Sequence, residues 1–294
     1  FGKPGPDTVL RDVEKTRIQK DGSPGPWTAE RPMSTPRIFT AATAHEDIIY
    51  VAGGEYFPEG RMLLLNTVEW TRVDKNGNLG PWQTGSIMQT PRRWPTISVV
   101  DGYLYAMGGY NGTFLKSVER ARILQDGSLG PWEYLPGQLT TERYIHGGAA
   151  VGNRIYVIGG HLQSGGDGIG GAEWTTVGED GNLTEWRPTS SMLQPRFLAG
   201  SATGGNSIFV IGGYNGGYLD SVEWTAIETD GNLGDWTAST PLPAPREGPA
   251  TVILNKRIYI MGGSNQGNYL TSTAWTEIGA DGALGTWETG KTQH

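Results

Sequence analysis

The sequence contains no cysteine, which excludes disulfide bonds, thiolate metal sites and cysteine nucleophiles. Long hydrophobic runs are also missing, because no stretch approaches the roughly 18 apolar residues that a membrane-spanning helix requires. Basic residues are few, with 23 Lys and Arg against 30 Asp and Glu and a formal net charge of −7. Since nucleic-acid binding needs a basic surface, this balance argues against a nucleic-acid partner.

Glycine is abundant instead, at 46 of 294 residues, which is about twice its usual share. The glycines show no three-residue period of the collagen type, so the excess predicts many tight turns. Eleven Trp and twelve Tyr supply enough apolar area for a core. These features predict a folded chain that is rich in turns.

An internal repeat of about 50 residues organises the whole chain, and such a period is typical of propellers and other repeat arrays. A Gly-Gly pair recurs five times, ending at Gly54, Gly109, Gly160, Gly213 and Gly263. An Asp-Gly or Asn-Gly turn followed by tryptophan recurs six times, ending at Trp27, Trp82, Trp132, Trp186, Trp236 and Trp287.

Each repeat unit contains two predicted β-hairpins. Runs such as Ile155 to Ile158 are short, β-branched and aromatic, and end at Gly-Gly, which is typical of buried strands. The stretch from Val222 to Ile227 alternates apolar and polar residues, and Asp230-Gly231 then supplies a tight turn before Trp236. Four strands per unit predict one blade of a β-propeller.

The order of an arginine, a buried strand ending in Gly-Gly, Val-Glu-Trp and a closing tryptophan resembles the kelch repeat over essentially the whole chain. Kelch repeats form β-propellers, so the resemblance implies that fold. It says little about activity, because kelch-type propellers serve as protein-binding platforms, adhesins, scaffolds and enzymes.

Counting hairpins predicts an all-β, kelch-like propeller with six four-stranded blades, one of which lacks its inner hairpin in this chain. Six outer hairpins end in tryptophan, but only five inner hairpins end in Gly-Gly. We expect a single propeller domain over residues 1–294, with residues 1–30 as the outer hairpin of the incomplete blade. The five remaining blades are predicted at residues 31–86, 87–137, 138–190, 191–240 and 241–294.

Three hypotheses account for the missing inner hairpin. The natural polypeptide extends beyond residue 1 or 294 and supplies it, or a neighbouring chain donates it to an open strand edge. Alternatively, the chain belongs to a larger array or an open ring. The sequence leaves the oligomeric state open among these hypotheses.

An arginine lies 17 residues before the second glycine of each pair, and two interpretations apply to this set. A ring of guanidinium groups at one mouth of the channel would suit an anionic ligand. Alternatively, the arginines serve the repeat by pairing with equally repeated glutamates (Glu14, Glu69, Glu119, Glu173 and Glu223), a series that Ala274 breaks in the last unit. The five arginines are Arg37, Arg92, Arg143, Arg196 and Arg246, with Trp94 and Tyr144 close behind as candidates for stacking on a ligand.

The loops after Gly-Gly vary between units, and variable loops on a rigid scaffold are the usual place for binding. Two of them place an aromatic residue beside an amide, a combination that suits sugar rings. A third loop, from His161 to Gly171, is long and glycine-rich. The candidate binding residues in these loops are Tyr110, Asn111, Tyr214, Asn215, Tyr218, His161 and Asp167.

Catalytic patterns are scarce. The four histidines show no metal-ligand spacing, so the sequence predicts no metal and no cofactor. A sialidase-like, glycan-processing enzyme is the alternative function, because such chemistry combines an arginine cluster with a tyrosine next to a carboxylate, here Tyr144 and Glu142.

The sequence therefore predicts a non-catalytic binding or structural module at the cell surface or outside the cell. The expected partner is a protein or glycan, with copies of the same chain as a further partner that would build a surface filament or layer; no nucleic acid and no membrane span are expected. Low lysine content and richness in Trp, Gly and Thr favour the extracellular location. There a glycan could modify Asn111 or Asn182, both of which lie in Asn-x-Thr sequences.

Overall fold

The structure is a computed structural model that describes residues 9–162 and 167–291. The chain divides into two compact units. The first comprises Phe1–Lys15, Thr28–Tyr144 and Thr175–Trp186, and the second comprises Thr16–Trp27, Ile145–Trp174 and Arg187–His294.

The fold is an all-β propeller with four-stranded antiparallel blades. A two-stranded sheet comes first in the chain, formed by β1 (Val13–Lys15) and β2 (Thr28–Glu30). Blade 1 consists of β3 (Ala41–His45), β4 (Ile48–Ala52), β7 (Val68–Arg72) and β8 (Gln83–Thr84). Its connecting loop holds β5 (Glu55–Tyr56), a 3-10 turn at Pro58–Gly60 and β6 (Leu63–Leu64). Blade 2 consists of β9 (Thr96–Val100), β10 (Tyr103–Met107), β11 (Val118–Ile123) and β12 (Leu129–Tyr134).

Three further blades follow along the chain. Blade 3 consists of β13 (Gly147–Val151), β14 (Arg154–Ile158), β15 (Ala172–Thr176) and β16 (Arg187–Thr189). Blade 4 consists of β17 (Gly200–Gly204), β18 (Ser207–Ile211), β19 (Val222–Ala226) and β20 (Thr237–Ser239). Blade 5 consists of β21 (Ala250–Leu254), β22 (Arg257–Met261), β25 (Ser272–Glu277) and β26 (Glu288–Lys291), with the short pair β23 (Ser264–Asn265) and β24 (Asn268–Tyr269) in its loop.

Apolar side chains on both faces of the second and third strands build the core between consecutive blades. In the first unit Tyr50 and Trp70 of blade 1 pack with Ile97 and Leu104 of blade 2 in one buried cluster. The second strand of each blade is buried on both faces. This burial explains why its sequence is a continuous hydrophobic run rather than an alternation of apolar and polar residues. Equivalent clusters in the second unit join blade 3 to blade 4 and blade 4 to blade 5.

The Asp-Gly turns link neighbouring blades. Gly127 has a φ of +85°, which glycine adopts without strain, and a Cβ at this position would lie 2.3 Å from Ile48 Cδ1. The Tyr50 hydroxyl donates a hydrogen bond to the Gly127 carbonyl oxygen at 2.8 Å. The same pairing recurs between Tyr105 and Gly181 and between Tyr156 and Gly231, so each turn is a structural contact of the repeat.

The blade count differs from the sequence prediction. The sequence predicts six blades, one of them without its inner hairpin, whereas within residues 9–162 and 167–291 the structure has five four-stranded blades. The segment predicted as the outer hairpin of the incomplete blade forms the antiparallel pair β1–β2 and a β-bridge between Ile18 and Pro24. The physical reason is that the described chain contains five inner hairpins, and each of them already belongs to its own blade.

Candidate functional site

The repeated arginines lie inside the blades. Arg92 Nη2 is 2.5 Å from Glu119 Oε1, and neither side chain is exposed to solvent. Arg37 pairs with Glu69 at 2.6 Å in the same way. In blade 4, Arg196 pairs with Glu223 at 2.5 Å.

Each guanidinium also fixes the Gly-Gly turn of its own blade. Arg92 Nη1 donates to the Gly108 carbonyl at 2.8 Å, and Arg196 Nη1 donates to the Gly212 carbonyl at 2.8 Å. Burial lowers the pKa of Arg92 below its ordinary value, against the opposing effect of Glu119. Because these cations are buried and neutralised, they do not offer a cationic mouth to an anionic ligand, and that prediction is corrected.

Arg246 and Arg143 complete the set. Arg246 donates to the Gly262 carbonyl at 3.0 Å, but Ala274 stands where the other blades carry glutamate. Burial lowers the pKa of Arg246. Arg143 is buried, and its carbonyl oxygen accepts a hydrogen bond from the Gly109 amide at 2.9 Å. Buried arginines also remove the cluster on which the sialidase-like alternative depends.

The residue two positions after each arginine has a left-handed backbone. Its φ is +60° at Phe39, +47° at Trp94, +56° at Ile145 and +52° at Leu198. This conformation costs a residue other than glycine about 1–2 kcal/mol. A backbone hydrogen bond holds this conformation at Trp94, because the Trp94 amide donates to the Phe39 carbonyl at 2.6 Å. Because blades 1 to 4 share it, this conformation is a feature of the repeat.

Five aromatic side chains gather next to this strained backbone in the first unit. We call Phe39, Trp94, Tyr110, Phe114 and Tyr144 the aromatic cluster. Phe39 stacks on Trp94 with ring centroids 3.6 Å apart, and Trp94 meets the edge of Tyr144 at 5.1 Å. Tyr110 and Phe114 lie 5.4 Å and 5.1 Å from Tyr144. Tyr144 is buried at the centre, and the other four side chains are half-buried.

Arg93 lies over the aromatic cluster. Its guanidinium carbon is 4.8 Å from the centroid of Tyr110, 5.5 Å from that of Trp94 and 5.6 Å from that of Tyr144, all within cation–π range. Arg93 Nη1 also pairs with Glu55 Oε2 at 2.9 Å, and the Glu55 side chain is almost fully buried. Burial raises the pKa of the Tyr144 phenol, so Tyr144 stays neutral at physiological pH.

The structure thus brings together three of the predicted residues, Trp94, Tyr110 and Tyr144. Asn111 is exposed in the loop beside them and accepts a hydrogen bond from Thr113 Oγ1 at 3.3 Å. Sequence reasoning missed Phe39, Phe114, Arg93 and Glu55. Phe39 shares the repeat position of Trp94, and Glu55 shares that of Tyr110, so aligning the units by position would have found both.

A second group lies in the second unit. His161 meets the edge of Phe197 at 5.0 Å, Phe197 lies 5.5 Å from Tyr214, and Tyr214 meets the edge of Tyr218 at 5.3 Å. The Gly168 amide donates to Asn215 Oδ1 at 3.1 Å. Asp167 is exposed, and residues 163–166 of the predicted long loop lie outside the described residues.

A surface cavity of about 370 Å³ lies elsewhere in the second unit. None of the predicted site residues lines it, and Lys256 is its one charged side chain. The cavity therefore offers no catalytic set. Its lining consists of Gly204, Gly205, Ile253, Lys256, Ile278, Gly279 and Ala280.

Residues 9–162 and 167–291 hold no group of three or more His, Cys, Asp or Glu side chains that could bind a metal ion. In the same ranges, none of the helices has the length and apolar character needed to cross a membrane.

Comparison with known proteins agrees with the fold. Residues 91–120 and 195–224 match the Kelch motif. A solved structure described as "Structure of YjhT" superposes with a TM-score of 0.77 at 16% sequence identity, covering 95% of this chain and 91% of that chain. No curated protein matches the sequence. At this identity the structural likeness supports the fold alone.

Proposed function

The chain is a β-propeller with kelch motifs, and on that premise we propose that it is a binding module whose aromatic cluster and Arg93 contact a protein partner. One observation carries the proposal. Half-buried aromatic rings and an arginine lie together on one side of the first unit, with the arginine charge already balanced by Glu55. Tryptophan, tyrosine and arginine are the residues that dominate the binding energy of protein interfaces.

Preorganisation supports this role. The stacking of Phe39 on Trp94 and the ion pair between Arg93 and Glu55 hold the side chains before a partner arrives. Binding then costs little side-chain entropy, which is a main expense of forming an interface.

Glycan binding is the second candidate, and the position of Asn111 favours it. The Asn111 amide is exposed next to the half-buried ring of Tyr110, so a sugar could stack on the ring and hydrogen-bond to the amide. A protein partner and a glycan are distinguished by the probe that binds, because the same variants apply to both.

The experiment compares three forms of the chain. Wild type, Tyr110→Ala and the control Tyr269→Ala, which removes an exposed tyrosine outside the cluster, are used as baits on extracts of the source cells and on a glycan array. The proposal expects a protein that wild type and Tyr269→Ala recover equally and that Tyr110→Ala recovers at least tenfold less. Equal recovery by all three baits would show that the aromatic cluster is not the binding surface.

We also propose a location at the cell surface or outside the cell, supported by the low lysine content and the richness in Trp, Gly and Thr. Treating intact source cells with a protease that does not enter them tests this location. Loss of the protein from intact cells supports it, and full protection contradicts it.

A further inference from the structure

Three of the blades hold a buried carboxylate with the same three donors. In blade 2, Glu119 Oε1 accepts from Arg92 Nη2 at 2.5 Å and from the Thr90 amide at 3.0 Å. The other oxygen, Glu119 Oε2, accepts from the Gln89 amide at 2.5 Å. Blades 1 and 4 repeat this arrangement around their own glutamates, Glu69 and Glu223. Each carboxylate therefore receives two donors on one oxygen and one donor on the other.

Blade 5 differs from this arrangement at two positions. Ala274 replaces the glutamate, and Pro243 stands where the other blades carry the residue whose amide donates to Oε2. Proline has no amide hydrogen, so this donor is lost together with the carboxylate. The two donors that meet on Oε1 in the other blades are kept, because Arg246 and Ala244 occupy their positions.

These two donors lack the acceptor that they have in the other blades. Arg246 is 2% exposed, and its Nη1 donates to the Gly262 carbonyl at 3.0 Å. Arg246 Nη2 donates to Ser272 Oγ at 3.2 Å, which uses one of its two hydrogens. Within residues 9–162 and 167–291, neither the second Nη2 hydrogen nor the Ala244 amide meets an acceptor. Buried donors normally have a partner, so this pair of donors calls for one.

The charge of Arg246 is unbalanced as well. Burial lowers the pKa of Arg246 with no carboxylate opposing the effect, whereas Glu119 opposes the same effect at Arg92. A cation in a protein interior is costly without a counter-charge, and buried charges are therefore usually paired. An anion beside Arg246 would supply the negative charge that Ala274 does not.

We infer that blade 5 binds a monatomic anion such as chloride at the position that glutamate Oε1 takes in blades 1, 2 and 4. The anion accepts hydrogen bonds from Arg246 Nη2 and from the Ala244 amide. A single atom suits this site better than a carboxylate, because Pro243 removes the donor to a second oxygen. Ala244 and Ser272 are half-buried, which gives a small ion access from solvent.

The test compares thermal unfolding of the full chain in potassium chloride and in potassium gluconate. Equal ionic strength in the two salts keeps the screening of surface charges constant. A ligand that binds the folded protein raises the melting temperature with its concentration, and we expect chloride at about 200 mM to raise it by at least about 2 °C over gluconate. Bromide should act like chloride, and the line width of the chloride NMR signal measures the same binding directly.

Three variants locate the site. Ala274→Glu supplies a carboxylate within the blade, so it should abolish the difference between chloride and gluconate. The control Thr286→Glu adds the same charge at an exposed position of blade 5, where blade 3 carries Glu185, and should keep the wild-type difference. Ala244→Pro removes only the amide donor and should weaken chloride binding at least fivefold. This last variant tests the site independently if Ala274→Glu fails to fold.

Two results would overturn the inference. Equal melting temperatures of the wild type in chloride and gluconate, with no broadening of the chloride signal, would show that water rather than an anion meets these donors. A chloride effect that both Ala274→Glu and Ala244→Pro retain would show that the anion binds elsewhere.

Discussion

Arg92 and Glu119 form an ion pair, 2.5 Å long, in which neither side chain reaches solvent. Glu119 also accepts hydrogen bonds from the backbone amides of Gln89 and Thr90 at 2.5 Å and 3.0 Å. One carboxylate thus ties the arginine to the chain segment that leads into the blade. The repeated charges of these ion pairs belong to the blades, and the proposed binding surface is the aromatic cluster.

Removing one partner of this pair should be costly. Arg92→Met leaves the buried Glu119 carboxylate without its cation, and breaking a buried ion pair in this way costs about 3–5 kcal/mol. Urea unfolding measures the loss. Arg246→Met is the control, since Arg246 has no glutamate partner at Ala274 and should cost less. Equal losses in the two variants would contradict the importance of the glutamate.

Acid should weaken the protein through the same pairs. Burial raises the pKa of Glu69, but the hydrogen bond from Arg37 and the amides of Ser34 and Thr35 outweigh it, so the pKa lies below 4.5 in the folded state. Its stabilisation is complete above pH 4.5 and is lost as the pH falls through the lowered value.

The variant Glu69→Gln isolates this contribution. It should be less stable than wild type at neutral pH, and its free energy of unfolding should fall less steeply below pH 4.5. Urea unfolding over a pH series checks both. Parallel pH profiles for the two proteins would show that Glu69 does not contribute to acid sensitivity.

The tyrosine contact with the neighbouring turn should stabilise each blade pair modestly. Tyr50→Phe removes the hydrogen bond to the Gly127 carbonyl and should cost about 0.5–1.5 kcal/mol. Blade 4 carries Phe209 at the same position, so the ring alone fits the site. A loss above about 3 kcal/mol in thermal or urea unfolding would mean that the substitution disturbs packing as well.

Arg93 and Glu55 should depend on each other. Arg93→Met leaves the buried Glu55 carboxylate unpaired, which costs about 1–3 kcal/mol. Adding Glu55→Gln should recover part of that loss, because the neutral amide needs no cation. A double-mutant cycle by urea unfolding measures the coupling, and additive losses would show that the two side chains act separately.

Much of the fold could be predicted from the sequence. The Gly-Gly and tryptophan repeats, the paired hairpins and the kelch resemblance lead to the propeller because each unit repeats the same local signals. The prediction of six blades, one of them without its inner hairpin, was correct only in part, because the described residues form five four-stranded blades and the two-stranded sheet β1–β2. The sequence showed that an inner hairpin was missing, and the structure has five complete blades.

The candidate site was predicted only in part. Trp94, Tyr110 and Tyr144 were selected from their positions, but the arginines chosen with them are buried in the blades. Pairing with the repeated glutamates was the other interpretation of these arginines, and the structure shows it for Arg37, Arg92 and Arg196. The contacts of Arg93 with three rings from separate loops are tertiary, and no local pattern encodes them.

The most direct test of the central claim is a photo-crosslinking measurement on the aromatic cluster. A photoreactive phenylalanine analogue replaces Phe114 in one protein and the exposed Tyr269 in another, and both are irradiated with source-cell extract. The account predicts a discrete adduct with one partner protein from position 114, absent from position 269 and abolished by Tyr110→Ala. The same adducts from both positions, or none from position 114, would contradict it.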